Sequence, residues 1–128
     1  MELLTGLLIL LVLFVFHTLA DFTFLQTPKM LKAKTDVSIW GILPHGAVHA
    51  VFVGLIIWVF GFTPEVALMA ALIELVVHTA MDFTKGYVPK KFDVFKDMAD
   101  WKFWAWFGFD QFVHIVTKLG IVAYIATA

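Results

Sequence analysis

Eight residues of the kind that bind metals or move protons occur in four pairs, the two members of each pair being four positions apart. The pairs are His17 with Asp21, His45 with His49, His78 with Asp82, and Asp110 with His114. Residues four apart lie on one face of an α-helix. Imidazole and carboxylate groups bind Zn, Fe, Mn or Ni, exchange protons near neutral pH, or hydrogen-bond between helices. The pairs therefore predict a metal site, a proton relay or a structural polar core.

The segments that carry these pairs are strongly apolar. The chain has 128 residues, of which 62% are hydrophobic, and its mean hydropathy is +0.93, which is too apolar for a soluble domain of this size. A membrane span needs roughly 20 apolar helical residues. Four segments qualify, at about 3–22, 43–62, 64–83 and 104–126. The sequence predicts an all-α, four-helix transmembrane bundle that forms one domain over residues 1–128.

The turns and polar connections set the expected topology. Thr63 and Pro64 are a typical N-cap and first helical residue, so the second and third spans form a hairpin. The longer connections, 23–42 and 84–103, contain eight of the nine lysines. The positive-inside rule therefore places both connections in the cytoplasm and both termini on the periplasmic or extracellular side. The expected location is the bacterial inner membrane. Because Glu2 precedes the first apolar run and no small-x-small cleavage site follows it, we expect this run to be retained as a span.

Short surface helices are also expected in these connections. Thr27 and Pro28 favour a helix start in the first connection, and apolar residues recur at helical spacing in the second, at Phe92, Phe95, Ala99 and Phe103. Irregular loops are the alternative. Tryptophans near both predicted interfaces, such as Trp58 and Trp104, agree with an aromatic belt.

Two stretches of the chain resemble each other. Residues 17–29 align without a gap on residues 78–90 and share His, Thr, Asp, Phe, Thr, Pro and Lys, where average composition would give about one match. Residues 45–51 correspond more weakly to 110–116. The pattern predicts an internal duplication, about 1–62 and 63–128, with parallel repeats related by an axis along the membrane normal. Chance similarity of two membrane-exit sequences is the alternative.

Charge balance bears on what the pairs hold. Asp21, Asp82 and Asp110 bring three negative charges into a poorly hydrated region, and an unpaired ion there costs several kcal/mol. Two divalent ions with one hydroxide would balance them, and such a hydroxide is the nucleophile of two-metal hydrolases. Protonated histidines would do so as well and would form a proton relay. If the site is catalytic, we expect Asp82, Asp110 and His114 to act there, with zinc the expected metal and Mn or Fe possible.

Three further charged residues lie near the pairs. Glu74 precedes His78 by four residues and Lys118 follows His114 by four, which places both at matching depth. We expect a buried ion pair that either forms the floor of the site or locks two helices together. Lys85 lies near the end of the third span, where it either contacts an anionic headgroup or phosphate or extends its ammonium to the interface.

The motifs also resemble a known family. They are His17-x-x-x-Asp21-Phe22, His45-x-x-x-His49, His78-x-x-x-Asp82-x-x-Lys85 and Asp110-Gln111-x-x-His114. Together they resemble the domain of unknown function 3307 family of small bacterial and phage membrane proteins, over nearly the whole chain. More loosely, the His-x-x-x-Asp pattern at a span end is similar to inner-membrane proteins described as metal-dependent hydrolases. The first resemblance implies a membrane protein without implying an activity, and the second favours hydrolysis.

The sequence gives no support for several function classes, and three hypotheses remain. The near-neutral charge and lack of arginine disfavour nucleic-acid binding, and the chain has no cysteine and no serine-nucleophile or nucleotide-binding motif. The leading hypothesis is a metal-dependent hydrolase with a cytoplasm-facing pocket for a lipid-associated ester or phosphoester. The alternatives are a proton or metal-ion conductor and a non-catalytic, phage-type membrane module that acts through a partner. The expected partners are the lipid bilayer and a lipid-like substrate, and the sequence assigns no oligomeric state.

Overall fold

Long apolar runs form four of the five α-helices of this chain. A computed structural model describes all 128 residues. The helices are α1 (Leu3–Phe22), α2 (Pro28–Asp36), α3 (Ile39–Val59), α4 (Pro64–Lys91) and α5 (Trp101–Thr127). All but α2 are long and apolar enough to cross a membrane, and there are no β-strands. The predicted all-α fold with four spans is confirmed.

The α3–α4 hairpin follows from its turn residues. Gly61 adopts a positive φ of 91°, which a glycine tolerates without steric cost. The Thr63 hydroxyl oxygen then accepts a hydrogen bond from the Val66 amide at 3.4 Å, and Pro64 opens α4. Both features are as predicted. The helix bounds differ, since α3 starts at Ile39 and α4 continues to Lys91, well beyond residue 83.

The two polar connections differ in structure. In the first, Thr27 caps α2 by accepting a hydrogen bond from the Met30 amide at 3.2 Å, which confirms that this connection contains a short helix. In the second, the predicted surface helix is reduced to a 3₁₀ turn, Asp93–Phe95. The reason is that α4 extends to Lys91 and the Asp100 side chain caps α5 at Trp101, so only residues 92–100 remain between them.

The interior of the bundle is divided along its length. We call the end with the Gly61 turn and both termini the hairpin end, and the end with α2 and the 3₁₀ turn the connection end. The half near the hairpin end has an apolar core, formed by Ile9, Leu13, Val53, Ile56, Ile57, Ala67, Ala70, Ile121 and Ile125. The half near the connection end contains the buried histidines and carboxylates together with Lys118. The polar groups therefore lie off-centre in the bundle.

The outer surface of the bundle is apolar. Leu3 is 80% exposed, Val59 78% and Trp101 72%, which suits a lipid environment better than water. Inside, α3 and α4 approach closely through small residues, since a Cβ atom at Gly46 would overlap the Thr79 hydroxyl oxygen. Small residues commonly allow such contacts between membrane helices. This close contact brings the histidines of α3 next to His78 on α4.

Candidate metal centre and its cavity

The four long helices bring all five histidines into one cluster. The ring centroids of His49 and His78 are 3.7 Å apart, and those of His17 and His78 are 5.7 Å apart. Each ring lies on the inward face of its helix, because the histidines are spaced at three or four residues from other buried residues of the same helix. The histidines are at most 8% exposed. The structure thus places the four predicted pairs at a common depth.

Asp21 is the carboxylate with the most imidazole contacts. Its Oδ1 atom lies 2.9 Å from His45 Nε2 and 3.1 Å from His49 Nε2, and its Oδ2 atom lies 3.3 Å from His17 Nε2. Asp82 Oδ2 is 3.5 Å from His78 Nε2. The two aspartates therefore approach the imidazole cluster from α1 and α4.

Ligand atoms of this cluster form three overlapping groups in which all atoms lie within 4.8 Å of one another. The groups are His17, His49, Glu74 and His78; Asp21, His45, His49 and His78; and His78, Asp82 and His114. Because the groups share residues, they describe one continuous polar core. His78 belongs to all three groups, whereas Asp110 belongs to none.

Glu74 has a larger part in this core than the sequence indicated. It forms the predicted ion pair, with Lys118 Nζ 2.5 Å from Glu74 Oε1. The same oxygen lies 3.3 Å from His78 Nδ1, so Glu74 is also a candidate metal ligand. Glu74 precedes His78 by four residues, so the sequence already placed both side chains on the same face of α4.

Two lysines accompany the remaining carboxylates. Lys85 Nζ lies 2.7 Å from Asp110 Oδ2, while Asp110 Oδ1 is 3.2 Å from His114 Nε2. Lys34, on α2, lies 3.0 Å from Asp82 Oδ2. Sequence reasoning missed Lys34, since it lies in a connection and shares no helical spacing with the pairs.

These lysines change the charge balance predicted for the site. Lys34 and Lys85 offset two of the three negative charges of Asp21, Asp82 and Asp110, and Lys118 offsets Glu74. Charge neutrality therefore does not require a second divalent ion, contrary to the expectation from the carboxylates alone.

Many buried polar atoms of the cluster lack a hydrogen-bond partner within the chain. They include both ring nitrogens of His17, His78 and His114, and Glu74 Oε2. A buried polar atom without a partner costs about 1–3 kcal/mol, so such atoms need an explanation. Imidazole nitrogens and carboxylate oxygens are the donors that zinc and similar ions use in proteins. The cluster thus has the donor chemistry of a metal site.

A cavity of about 720 Å³ opens at the connection end beside the cluster. Asp21 lines this cavity and also belongs to one ligand group, so the cavity leads directly to the candidate site. Lys34 and Lys85 line it too. A volume of this size is within the usual range for small-molecule sites.

The fold and the cluster define a multi-pass α-helical membrane protein with a buried histidine–carboxylate core at one end of the bundle. Residues 9–128 match a family model described as "Protein of unknown function (DUF3307)". The chain belongs to this family, as its motifs suggested. No significant match was found among curated proteins or solved structures, and the looser similarity to inner-membrane hydrolases is not shown by these comparisons.

Proposed function

We propose that this protein is a membrane-embedded, metal-dependent hydrolase whose substrate is a lipid-associated ester or phosphoester. The observation that carries the proposal is the set of three overlapping ligand groups, all of them buried, next to a cavity that shares Asp21 with one group. Zinc suits the nitrogen and oxygen donors best, with Mn or Fe as alternatives. A bound divalent ion would supply Lewis-acid and water-activating chemistry.

The residues of the chain would divide the work of such a site. Asp21 would orient His45 and His49 by accepting hydrogen bonds from their Nε2–H groups, as carboxylates next to metal-binding histidines commonly do. Asp82 and His114 lie with His78 in the third ligand group, where they could bind metal or transfer a proton. Asp110 would hold Lys85 and His114 in place.

The apolar half of the bundle favours hydrolysis over ion conduction. Ile9, Leu13, Ile57, Ile121 and Ile125 are all at most 1% exposed and fill the interior between the cluster and the hairpin end. A conducting path needs polar groups or water along its length. The cavity therefore supports access from one end, as a hydrolase requires, rather than passage through the bundle.

Metal content is the first test. The full-length protein, purified without chelators and with a tag that does not bind metal, should contain stoichiometric zinc, manganese or iron by elemental analysis. Asp21→Asn should lower the metal content. Asp36→Asn, the same change at an exposed position on α2, should not. Absence of any stoichiometric transition metal from the wild-type protein would rule out the proposed function.

Catalysis is the second test. Detergent-solubilised protein should hydrolyse p-nitrophenyl butyrate, and a chelator should remove this activity. Asp21 lies within 3.3 Å of three imidazoles, whereas the nearest imidazole nitrogen to Asp82 is 3.5 Å away. Asp82→Ala should therefore lose most of the activity while the protein retains metal. Activity that is unchanged by the chelator or by Asp82→Ala would contradict a metal-dependent mechanism at this site.

A further inference from the structure

We propose that the cavity at the connection end binds an anionic phosphoryl group, with the ammonium groups of Lys34 and Lys85 as its inner contacts. The inference rests on the proposed function, since it names the substrate class as a phosphate ester carried by an amphiphile. The charges and apolar walls of the cavity support it, and these features are separate from the ligand groups that carry the proposed hydrolysis.

Lysines outnumber carboxylates in the cavity lining. Four lysines line it, namely Lys34, Lys85, Lys90 and Lys96, against a single carboxylate, Asp21. Outside the lining, Lys34 pairs with Asp82, Lys85 with Asp110 and Lys96 with Asp93. Lys90 Nζ donates to the backbone carbonyl of Asp36 at 3.0 Å and has no carboxylate within ion-pair distance, so its charge is not neutralised by a carboxylate. A concave basic site of this kind attracts anions. Lysine is also a common phosphate ligand because its ammonium has three donors.

The buried charges lead to the same conclusion once a metal is present. Metal-bound histidines are neutral. Three aspartates, two lysines and one divalent ion that carries a neutral water then leave one net positive charge next to the cavity, because Glu74 and Lys118 cancel. A net positive charge in a poorly hydrated site is costly unless an anion accompanies it. A phosphoryl group in the cavity would supply that charge and would contact the two lysines alongside Asp82 and Asp110, since each ammonium has three donors.

The cavity walls indicate what carries the phosphoryl group. Phe22, Leu31, Phe103 and Phe107 line the cavity alongside the lysines, and Lys85 Nζ lies 4.8 Å from the centroid of the Phe107 ring. Phe22, at the end of α1, and Leu31, on α2, are more than half exposed, and both lie at the connection end of the bundle. A ligand with a phosphate head and an apolar body matches this combination of lysines and apolar walls.

The test is a binding measurement with defined probes. The full-length, metal-loaded protein in neutral detergent is titrated with dihexanoyl phosphatidic acid, inorganic phosphate and dihexanoyl phosphatidylcholine, and tryptophan fluorescence reports binding. Phosphatidic acid should bind saturably and phosphatidylcholine should not. Lys34→Gln and Lys85→Gln should each weaken binding of phosphatidic acid about tenfold, as expected for loss of one charge-assisted hydrogen bond. Lys32→Gln on α2 and Lys91→Gln on α4 lie outside the cavity lining and serve as matched controls.

The source of the phosphoryl group is separated by the probes. Inorganic phosphate that binds as tightly as phosphatidic acid would support the site and show that its ligand is soluble. Tighter binding of phosphatidic acid would support a lipid phosphate. Equal binding of phosphatidylcholine, or equal effects of the cavity and control substitutions, would overturn the proposal.

Further variants keep the test valid if Lys34→Gln or Lys85→Gln does not fold. Lys34→Arg and Lys85→Arg keep the charge and should retain binding within about threefold, and Lys90→Gln, at the more exposed rim, should weaken binding about threefold. If Lys90→Gln binds like the wild type, or if Lys34→Arg and Lys85→Arg abolish binding, the lysine charges do not hold the ligand. The two proposals can also fail separately, because hydrolysis of the uncharged p-nitrophenyl butyrate tests the metal centre without a phosphate.

Discussion

At the scale of single residues, Asp110 stands apart from the other paired residues because Lys85 holds one of its oxygens and no ligand group includes it. His78 belongs to every group. We therefore expect Asp110→Asn to lower metal affinity by no more than the roughly 10–100-fold typical of an outer-sphere partner, and His78→Ala to lower it further. Competition of the purified variants with a fluorescent zinc chelator measures both. A larger loss in Asp110→Asn than in His78→Ala would make Asp110 a direct ligand.

The Glu74–Lys118 ion pair gives a second prediction at this scale. Both side chains are essentially inaccessible to solvent, so Lys118→Met leaves a buried carboxylate without its cation and should destabilise the protein by about 3–5 kcal/mol. The double variant Glu74→Gln with Lys118→Met removes both charges and should recover most of this loss. Unfolding by denaturant in mixed micelles provides the measurement.

Metal content of the same double variant separates the two roles of Glu74. If Glu74 binds metal, the double variant regains stability but not metal affinity. If it only locks α4 to α5, both are regained. A double variant as unstable as Lys118→Met alone would contradict a simple ion pair.

At the scale of helices, the close contact of α3 with α4 holds the cluster together. Position 46 has no room for a Cβ atom because of the Thr79 hydroxyl, so Gly46→Ala should push the helices apart and reduce both thermal stability and metal content. Adding Thr79→Ala removes the obstructing oxygen and should restore both. Thermal unfolding followed by circular dichroism, with elemental analysis, checks this prediction.

Gly120 on α5 supplies the matched control for that substitution. Nothing lies within 4 Å of a Cβ atom at this position, so Gly120→Ala should be neutral or stabilising by up to about 1 kcal/mol through helix propensity. Equal effects of the Gly46 and Gly120 substitutions would mean that α3 and α4 do not depend on this contact.

At the scale of the whole molecule, the orientation in the membrane is a prediction from the lysines of the two connections. Because the chain has no cysteine, single cysteines can report it. Asp97→Cys at the connection end should be protected from a membrane-impermeant maleimide in intact cells and labelled after lysis. Glu65→Cys at the hairpin end should be labelled in intact cells, and both residues are exposed. The reverse pattern would place the cavity outside the cell.

Local rules explain why much of this molecule was predictable from its sequence. The spans follow from the length of apolar runs, the α4 start from Thr63 and Pro64, and the inward face of each pair from the helical period. The Glu74–Lys118 pair was also predictable, since depth in antiparallel spans depends only on residue count. The end of α4 was not, because residues 84–91 are polar enough for a loop and become helical through contacts with α2 and α5.

The sequence by itself determined that each of four apolar helices carries two paired residues, histidine with aspartate or histidine with histidine, on one face. Residue spacing and the length of apolar runs are local properties of the chain. Only the tertiary structure decided which of these groups share ligand atoms, that Asp110 is bound to Lys85 instead, and that Lys34 enters the site. Lys34 reaches Asp82 because α2 packs closely against α4 at Gly86. A Cβ atom at Gly86 would overlap the Lys34 carbonyl oxygen, so only glycine allows this approach. Such contacts depend on how helices distant in sequence pack, which helical spacing alone does not determine.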